Sequence, residues 1–199
     1  MGNIREPIKK SSIEKKNKII EKGFELMCTK GYHNVTCVDI AKYAGVSTGI
    51  IYQYFKDKRD IFIEGVKDYS NKIMFPMIDI LKENKFDKSN LKDIISRLID
   101  SFIKTHTMSK NAHEELMAMS HLDSEIAEIF HENEIRITDK ISSQLVENGI
   151  TMKNQKEKIH ISIGLVDNLC HEVVYHKHSE LDFPSMKEIV VDTILSLLS

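Results

Sequence analysis

Residues 36–55, TCVDIAKYAGVSTGIIYQYF, have the pattern of two short helices joined by a tight turn. Thr36 followed by Asp39 predicts a capped helix start, because the hydroxyl can accept a free backbone N–H and the carboxylate favours the positive helix end. Gly45 can adopt positive φ and end this helix, and Ser47 is the predicted N-cap of the next one. A helix pair of this size can present the start of its second helix to the DNA major groove.

An ordinary helical hairpin inside a bundle would show the same length and spacing, so the residue types have to decide between the two interpretations. A second helix buried in a bundle should not carry Tyr52, Gln53, Tyr54 and Lys56 close together, whereas this chain does. Phosphates and base edges are contacted by such polar and aromatic side chains. The pattern therefore favours a DNA-binding helix pair.

The predicted DNA contacts divide into phosphate ligands and base readers. Gln53 can bond the edge of adenine, Thr48 carries both a hydroxyl and a methyl, and an exposed Ile50 would touch a thymine methyl. Gly49 lacks a Cβ and lets the backbone approach closely. The predicted phosphate ligands are Thr36, Tyr52, Tyr54 and Lys58, although Tyr52 can also pack against the first helix. The whole predicted set is Thr36, Ser47, Thr48, Gly49, Ile50, Tyr52, Gln53, Tyr54 and Lys58.

The segment Gly31–Phe62 resembles the DNA-binding module of the TetR/AcrR family of bacterial transcriptional regulators. The matching features are Gly31, Thr36, Ile40-Ala41, Ala44-Gly45-Val46-Ser47, Gly49, Tyr52, Phe55, Lys58 and Ile61-Phe62. One departure is Tyr54, where the family often has histidine. The motif resemblance covers roughly residues 12 to 65, and the rest of the chain matches only in length and helical character.

The resemblance implies an all-α fold of about nine helices, in which a three-helix module is joined to a helical ligand-binding and dimerisation domain. The predicted organisation is a flexible basic arm over residues 1–11, a DNA-binding domain over 12–65, and an effector-binding and dimerisation domain over 66–199. It also implies a homodimer that represses from a palindromic operator and is released when a small molecule binds. The helix that begins after Asp57 would link the domains and swing the DNA modules apart.

The charge distribution is consistent with a polyanion partner at one end of the chain. Residues 1–60 hold 12 Lys and Arg against 7 Asp and Glu, whereas residues 61–199 hold 16 against 23. A basic first part on an acidic body is typical of a nucleic-acid-binding module attached to a different domain.

Helical periodicity continues through the rest of the chain. Alternation in residues 158–165 could indicate a strand, but the longer apolar spacing favours a helix there. Pro76 should kink the helix that follows Asp57, Gly149 should close another helix, and Pro184 should open the last one. The predicted helices outside the pair cover residues 12–30, 58–82, 91–108, 111–120, 124–147, 153–176 and a segment from 184 onward.

The last two predicted helices are apolar on more than one side, which suggests contact with a second copy of the chain. The alternative is that one domain covers both faces. Dimerisation is favoured because a helix-turn-helix needs two copies to read half-sites one helical turn apart. The predicted dimer interface is Ile163, Val166, Val173, Ile189, Ile194 and Leu197.

Methionine, aromatic and histidine side chains between residues 70 and 176 suggest a largely apolar effector site with a few polar groups. Most of these residues would serve equally well as core. The predicted effector residues are Met74, Met77, Phe102, His106, Met117, Phe130, Asn168 and His171.

Other function classes have little support in the sequence. No GxSxG, P-loop, HExxH or Rossmann glycine pattern is present, so we expect no enzyme and no cofactor. The three cysteines are far apart, and the histidines lack metal-ligand spacing, so no metal site is predicted and Cys28 and Cys170 are expected to be packed thiols. An architectural DNA-binding protein without an effector remains the alternative. Without a signal peptide or membrane span, the expected location is the cytoplasm.

Overall fold

The computed structural model describes residues 7–74, 80–81, 89–108 and 110–198. Nine α-helices lie in these ranges and no described residue is in a strand, which confirms the all-α prediction. A 3-10 turn, Tyr32–Asn34, follows the first helix, and a π-helical turn, Glu172–His176, continues the eighth. The helices are α1 Lys10–Lys30, α2 Cys37–Ala44, α3 Thr48–Tyr54, α4 Lys58–Met74, α5 Leu91–Met108, α6 Lys110–Leu122, α7 Ser124–Glu147, α8 Gln155–His171 and α9 Phe183–Leu197.

Where both ends of a predicted helix are described, the predicted limits agree with the structure to within about two residues, which is the usual spread for frayed ends. The helix predicted over 58–82 is described as α4 only to Met74, and its predicted end at residue 82 lies outside the described residues. Residues 158–165, where a strand was the alternative, are part of α8. Pro76, the predicted kink in α4, lies outside the described residues.

Two compact units divide the chain. One contains Met1–Ser70 together with Asn111–Ile129, and the other contains Asn71–Lys110 together with Phe130–Ser199. The first unit therefore adds α6 and the start of α7 to the predicted DNA-binding segment. The functional boundary placed at residue 65 stays a prediction.

The first unit is built on a tightly packed apolar core. In it α1 lies against α2, and α2 lies against α3. Gly23, in α1, permits close packing of α1 on its neighbours, since a Cβ there would lie 2.7 Å from Cγ2 of Ile61. The largest fully buried side chains of this unit are Ile19, Met27, Ile40, Ile51, Ile61, Phe62, Leu116 and Ile126.

The helix pair has the predicted start and the predicted turn. Thr36 accepts a hydrogen bond from the backbone N–H of Asp39 (3.3 Å), and the Asp39 carboxylate accepts one from the Thr36 N–H (2.9 Å), which completes a capping box. Gly45 has φ 68° and ψ 38°, the predicted left-handed helix end. Ser47 occupies the N-cap position of α3, but its side chain makes no capping hydrogen bond there.

The sequence also predicts a cap for α4 at Asp57 and a left-handed cap for α1 at Gly31. Of these two ends and the one at Pro184, those at Gly31 and Pro184 need correction. Asp57 caps α4 as expected, accepting from the backbone N–H of Arg59 at 2.7 Å. Gly31 has positive φ but a ψ of 134°, so it leads out in an extended direction into the 3-10 turn rather than forming a left-handed cap. Pro184 is the second residue of α9, because the helix begins at Phe183 and is capped by the Asp182 carboxylate.

The second unit has its own aliphatic core. α9 packs against both α5 and α8, and these two also contact each other. Its buried apolar residues are Leu81, Leu91, Ile94, Ile95, Ile99, Leu145, Ile159, Leu169, Val191 and Ile194. Among the helices described, none is both long enough and apolar enough to cross a lipid bilayer.

Gly65 of α4 offers a direct test of the packing in the first unit. A Cβ at this position would lie 2.5 Å from Cδ2 of Phe24, so Gly65→Ala should lower the free energy of unfolding by about 1–3 kcal/mol through overpacking. Gly49 is the matched control, because its Cβ would meet only the Ser47 hydroxyl, at 3.9 Å. Urea unfolding of both variants measures the difference, and equal stabilities would contradict the described packing of α1 on α4.

Candidate nucleic-acid interface and effector cavity

The recognition helix α3 has one buried side and one open side. Ile51 and Phe55, four residues apart on its inner face, are buried. Tyr52 is 54% exposed and Gln53 is exposed on the opposite side. Of the other predicted contacts, Gly49 and Ser47 are exposed, whereas Thr48 and Ile50 are half-buried. The start and the outer face of α3 can therefore be approached by a large ligand.

Tyr54 lies on the inner side of α3, and the phosphate role predicted for it has to be revised. The residue is only 8% exposed, and its ring centroid lies 6.5 Å from that of Phe55. Tyr54 is three residues after Ile51, a spacing that places both on the same helix face. The tyrosine in place of the family's histidine is thus a core residue here.

Lys58 is bound inside the module instead of pointing freely toward solvent. Its ammonium donates to the carbonyls of Tyr32 (2.7 Å) and Val35 (2.8 Å) and lies 4.5 Å from the centre of the Tyr32 ring. These bonds connect the start of α4 to the turn before α2. The direct phosphate contact predicted for Lys58 must therefore be reconsidered as a positioning role.

Thr36 and Cys37 stand where α2 begins. The Thr36 hydroxyl donates to the Asp39 carboxylate at 2.6 Å, and this bond lowers the pKa of Asp39. Tyr52 lies beside Cys37, whose nearby thiol raises the pKa of the Tyr52 hydroxyl. Burial raises the pKa of the Cys37 thiol, so it is neutral. The sequence analysis missed this contact because no local pattern links residues 15 positions apart on two helices.

An acidic corner formed by α6 and α7 is bonded to two other segments of the first unit. Arg59 donates to both oxygens of Asp123, at 2.6 and 2.9 Å, and to Glu125 at 2.9 Å. The Glu115 carboxylate accepts the backbone N–H of Tyr32 at 2.5 Å. The hydrogen bonds from Arg59 lower the pKa of Asp123. These partners are more than sixty residues apart in the chain, so sequence spacing gave no sign of them.

The second unit contains a partly open apolar cavity of about 120 Å³. Its volume is comparable to that of an apolar cavity of ~150 Å³ engineered in another protein, which stays dry and binds benzene. Ser162 is the one polar residue among the described residues that line it. The lining residues are Leu81, Leu91, Ile94, Ile95, Leu98, Ile99, Phe102, Ile137, Ile141, Leu145, Ile159, Ser162, Ile163, Val166, Ile194 and Leu198.

Few of the predicted effector residues line this cavity. Phe102 does, whereas His106 and His171 lie farther along α5 and α8. Asn168 is exposed, and Met117 belongs to the first compact unit. Phe130 is half-buried in the second unit but does not line the cavity. Met74 and Met77 were also predicted, but their side chains lie outside the part of the structure that is described.

The predicted dimer residues divide between the core and the surface. Ile194 is only 4% exposed and lines the cavity together with Ile163 and Val166, so these three face their own domain. Val173 and Leu197 are half-buried. Ile189 is 64% exposed, and on α8 a residue that was not predicted, Ile161, is 55% exposed.

The thiols and the histidines show no metal chemistry in the described part of the chain. Cys28 and Cys170 are buried free thiols, as expected, and burial raises the pKa of each to about 12. Among the described residues, no group of three His, Cys, Asp or Glu side chains is arranged to hold a metal ion.

Comparison with known proteins agrees with this architecture. The family model of the bacterial regulatory proteins, tetR family, matches residues 19–64. The fatty acid metabolism regulator protein of Bacillus subtilis is 31% identical over 132 residues, which cover 66% of this chain and 68% of that protein. The HTH-type transcriptional regulator HbdR of Aromatoleum is 44% identical over 55 residues, which are 28% of this chain and 24% of HbdR.

A solved structure extends the similarity to nearly the whole chain. The structure is that of a TetR-family transcriptional regulator of Mesorhizobium loti, with a TM-score of 0.76 and 18% identity, and the match covers 96% of this chain and 98% of that one. At this identity the match establishes the fold alone. Taken with the family model and the Bacillus relative, it shows that the chain belongs to the TetR family of bacterial regulatory proteins and is a transcriptional regulator.

Proposed function

We propose that this regulator is a repressor that binds a palindromic operator as a homodimer and leaves it when an apolar effector binds. The observation that carries the DNA-binding part is the α2–α3 pair, which exposes Tyr52 and Gln53 on the side opposite the buried Ile51 and Phe55. A recognition helix needs this division, because one face must pack on its own module and the other must enter the major groove.

The residues of the DNA interface have separate roles in this proposal. Gln53 and Thr48 read base edges, and half-buried Ile50 adds an apolar contact. Tyr52 donates its hydroxyl to a phosphate and therefore sets register without reading sequence. Thr36, Ser47 and Gly49 bring the starts of α2 and α3 close to the sugar–phosphate chain. Tyr54 and Lys58 act indirectly, by holding α3 and the start of α4 in place.

The dimer in this proposal uses the outer faces of α8 and α9. Ile161 and Ile189 are large aliphatic side chains that are more than half exposed in the single chain. Gly164 lies three residues after Ile161, and a Cβ on it would meet no atom within 4 Å, so this face of α8 allows close approach of another helix. Burying exposed apolar surface of this kind drives association between chains.

The effector in this proposal is mostly aliphatic, because the cavity in the second unit is lined almost entirely by Leu, Ile and Val. The Bacillus relative is named for the regulation of fatty acid metabolism, which makes straight alkyl chains the first compounds to test. Such a ligand can change DNA affinity only by the difference between its affinities for two conformations of the protein.

The primary experiment is binding of the purified protein to fluorescent DNA from upstream of its own gene, with and without excess random competitor. Binding by one or more dimers that survives the competitor, and is then lost when an alkyl ligand is added, supports the proposal. Binding that the competitor abolishes, followed by failure of selection from random DNA to enrich any site, would instead support a non-specific architectural role.

Tyr52→Phe should weaken binding to operator and random DNA by the same factor, about tenfold, because a hydrogen bond to a charged phosphate is lost. Tyr43→Phe is the matched control: Tyr43 is 48% exposed, lies in α2 and bonds Glu25 instead. Fluorescence anisotropy titrations measure both variants. A loss confined to the operator would assign Tyr52 to base reading and contradict its phosphate role.

Lys58→Met should lower the free energy of unfolding by about 1–3 kcal/mol and leave the salt dependence of DNA binding unchanged, since its bonds are internal. Lys56→Met is the comparison, because Lys56 is exposed just after the recognition helix and its loss should reduce the salt slope by about 1. A reduced slope for Lys58→Met, with unaltered stability, would restore the direct phosphate contact.

Ile161→Glu and Ile189→Glu should each produce monomers with nearly unchanged secondary structure, because a charge on the buried interface opposes association. Ile135→Glu, at a residue 44% exposed on α7, is the control and should remain dimeric. Light scattering measures the mass of each variant. Dimers that persist in both α8 and α9 variants would place the interface on another surface.

A further inference from the structure

The two helices that form one side of the effector cavity change from apolar to polar at corresponding positions. Phe102 of α5 lines the cavity, and His106 stands one turn farther on. Val166 of α8 also lines it, and it is followed directly by Asp167 and, one turn later, by His171. An aliphatic ligand lying between these helices would therefore place one of its ends close to polar side chains.

These polar side chains converge on a single carboxylate. The Asp167 oxygens lie 3.8 Å from Nε2 of His106 and 3.6 Å from Nε2 of His171, distances too long for hydrogen bonds. The Tyr175 ring completes the group, with its centroid 5.1 Å from that of His171 and 6.3 Å from that of His106. We call His106, Asp167, His171 and Tyr175 the polar cluster.

The orientation of His106 is fixed by the backbone. Its Nδ1–H donates to the Phe102 carbonyl at 3.0 Å, because a carbonyl can only accept, and its ring packs on Phe102 with centroids 4.3 Å apart. The nitrogen that faces Asp167 is consequently Nε2, which in the neutral ring is an acceptor. Burial lowers the pKa of His106, which favours this neutral form.

The charge and the aromatic surface of the cluster define what it can recognise. The Asp167 carboxylate offers two acceptor oxygens, and neutral His106 adds an acceptor instead of a positive charge. Nζ of Lys110 lies 5.6 Å from the centre of the Tyr175 ring and occupies one face of it, so the acceptors of Asp167 and His106 have to carry the recognition. Acceptors beside an aromatic face suit a ligand group that donates hydrogen bonds, and an ammonium more than a hydroxyl.

We propose that the polar cluster is the head-group end of the effector site and selects alkyl ligands that carry a hydrogen-bond-donating amine or hydroxyl over those that carry a carboxylate. The inference rests on the proposed function, because it assumes that the aliphatic cavity holds the chain of the effector. Asp167 accepts the head group, and His106 and His171 hold its position.

The test uses three six-carbon probes of matched length, hexylamine, 1-hexanol and hexanoate, and the full-length dimer. Each probe competes with the neutral fluorescent compound N-phenyl-1-naphthylamine for the cavity. Hexylamine, protonated at neutral pH, should bind about tenfold more tightly than hexanoate, with 1-hexanol between them, as expected for a hydrogen bond to a charged group.

Asp167→Asn should abolish the preference for hexylamine over hexanoate while leaving the affinity for 1-hexanol within about threefold. Asp139→Asn is the matched control, because the Asp139 side chain is 49% exposed against 46% for Asp167 but pairs with Lys156 on the surface. It should bind all three probes like the unaltered protein. Thermal unfolding of both variants verifies that each is folded.

The outcomes separate this inference from the proposed function. Equal binding of the three probes, or a preference that persists in Asp167→Asn, would overturn the polar cluster as a head-group site and leave the aliphatic cavity in place. Failure of every probe and of the fluorescent compound to bind would overturn the cavity as an effector site, and the head-group inference with it. Tighter binding of hexanoate would reverse the proposed selectivity.

Discussion

The ammonium group of Lys58 is the contact on which the geometry of the DNA-binding module depends. It bonds two carbonyls, those of Tyr32 and Val35, within the connection between α1 and α2. α3 has only seven residues, and a helix that short has little stability of its own in water. Its position is therefore set by the segments that flank it, and the Lys58 bonds fix one flanking segment, the start of α4, against the other.

The acidic corner of α6 and α7 extends this arrangement. The Glu115 carboxylate accepts a hydrogen bond from the backbone N–H of Tyr32, and the Lys58 ammonium donates one to the Tyr32 carbonyl. Both backbone polar groups of Tyr32 are therefore bound by side chains. Arg59, the neighbour of Lys58, is bound by Asp123 and Glu125. The ion pairs are partly exposed, and each alone adds little stability. Their value is geometric, because they define which part of the chain moves together with the recognition helix.

The sequence was sufficient for the fold and for the local features of the helix pair. The capping box of Thr36 and the positive φ of Gly45 follow from the chemistry of residues within three or four positions of one another, and both are present. The exposure of Tyr52 and Gln53 on α3 could be predicted for the same reason. Tyr54 was misplaced because a tyrosine suits either a surface or a core, and only packing decides between them.

Contacts between distant segments could not be predicted in the same way. The partners of Lys58 and Arg59 lie 23 to 66 residues away, and periodicity carries no information about such pairs. The cavity shows the same limit. Ile194 fits a dimer seam and a cavity wall equally well by its spacing, and the structure places it in the wall. His106 was recognised only as polar, whereas its tautomer depends on the Phe102 carbonyl.

The aliphatic lining of the cavity also determines the thermodynamics with which an apolar molecule would bind there. A space of about 120 Å³ with almost no polar lining offers water few hydrogen-bond partners. An alkyl chain that enters it gains dispersion contacts that the unfilled walls lack. Binding at such a site is typically driven by enthalpy instead of by release of water. Binding of an apolar effector in this cavity would therefore be driven mainly by the favourable enthalpy of its packing contacts.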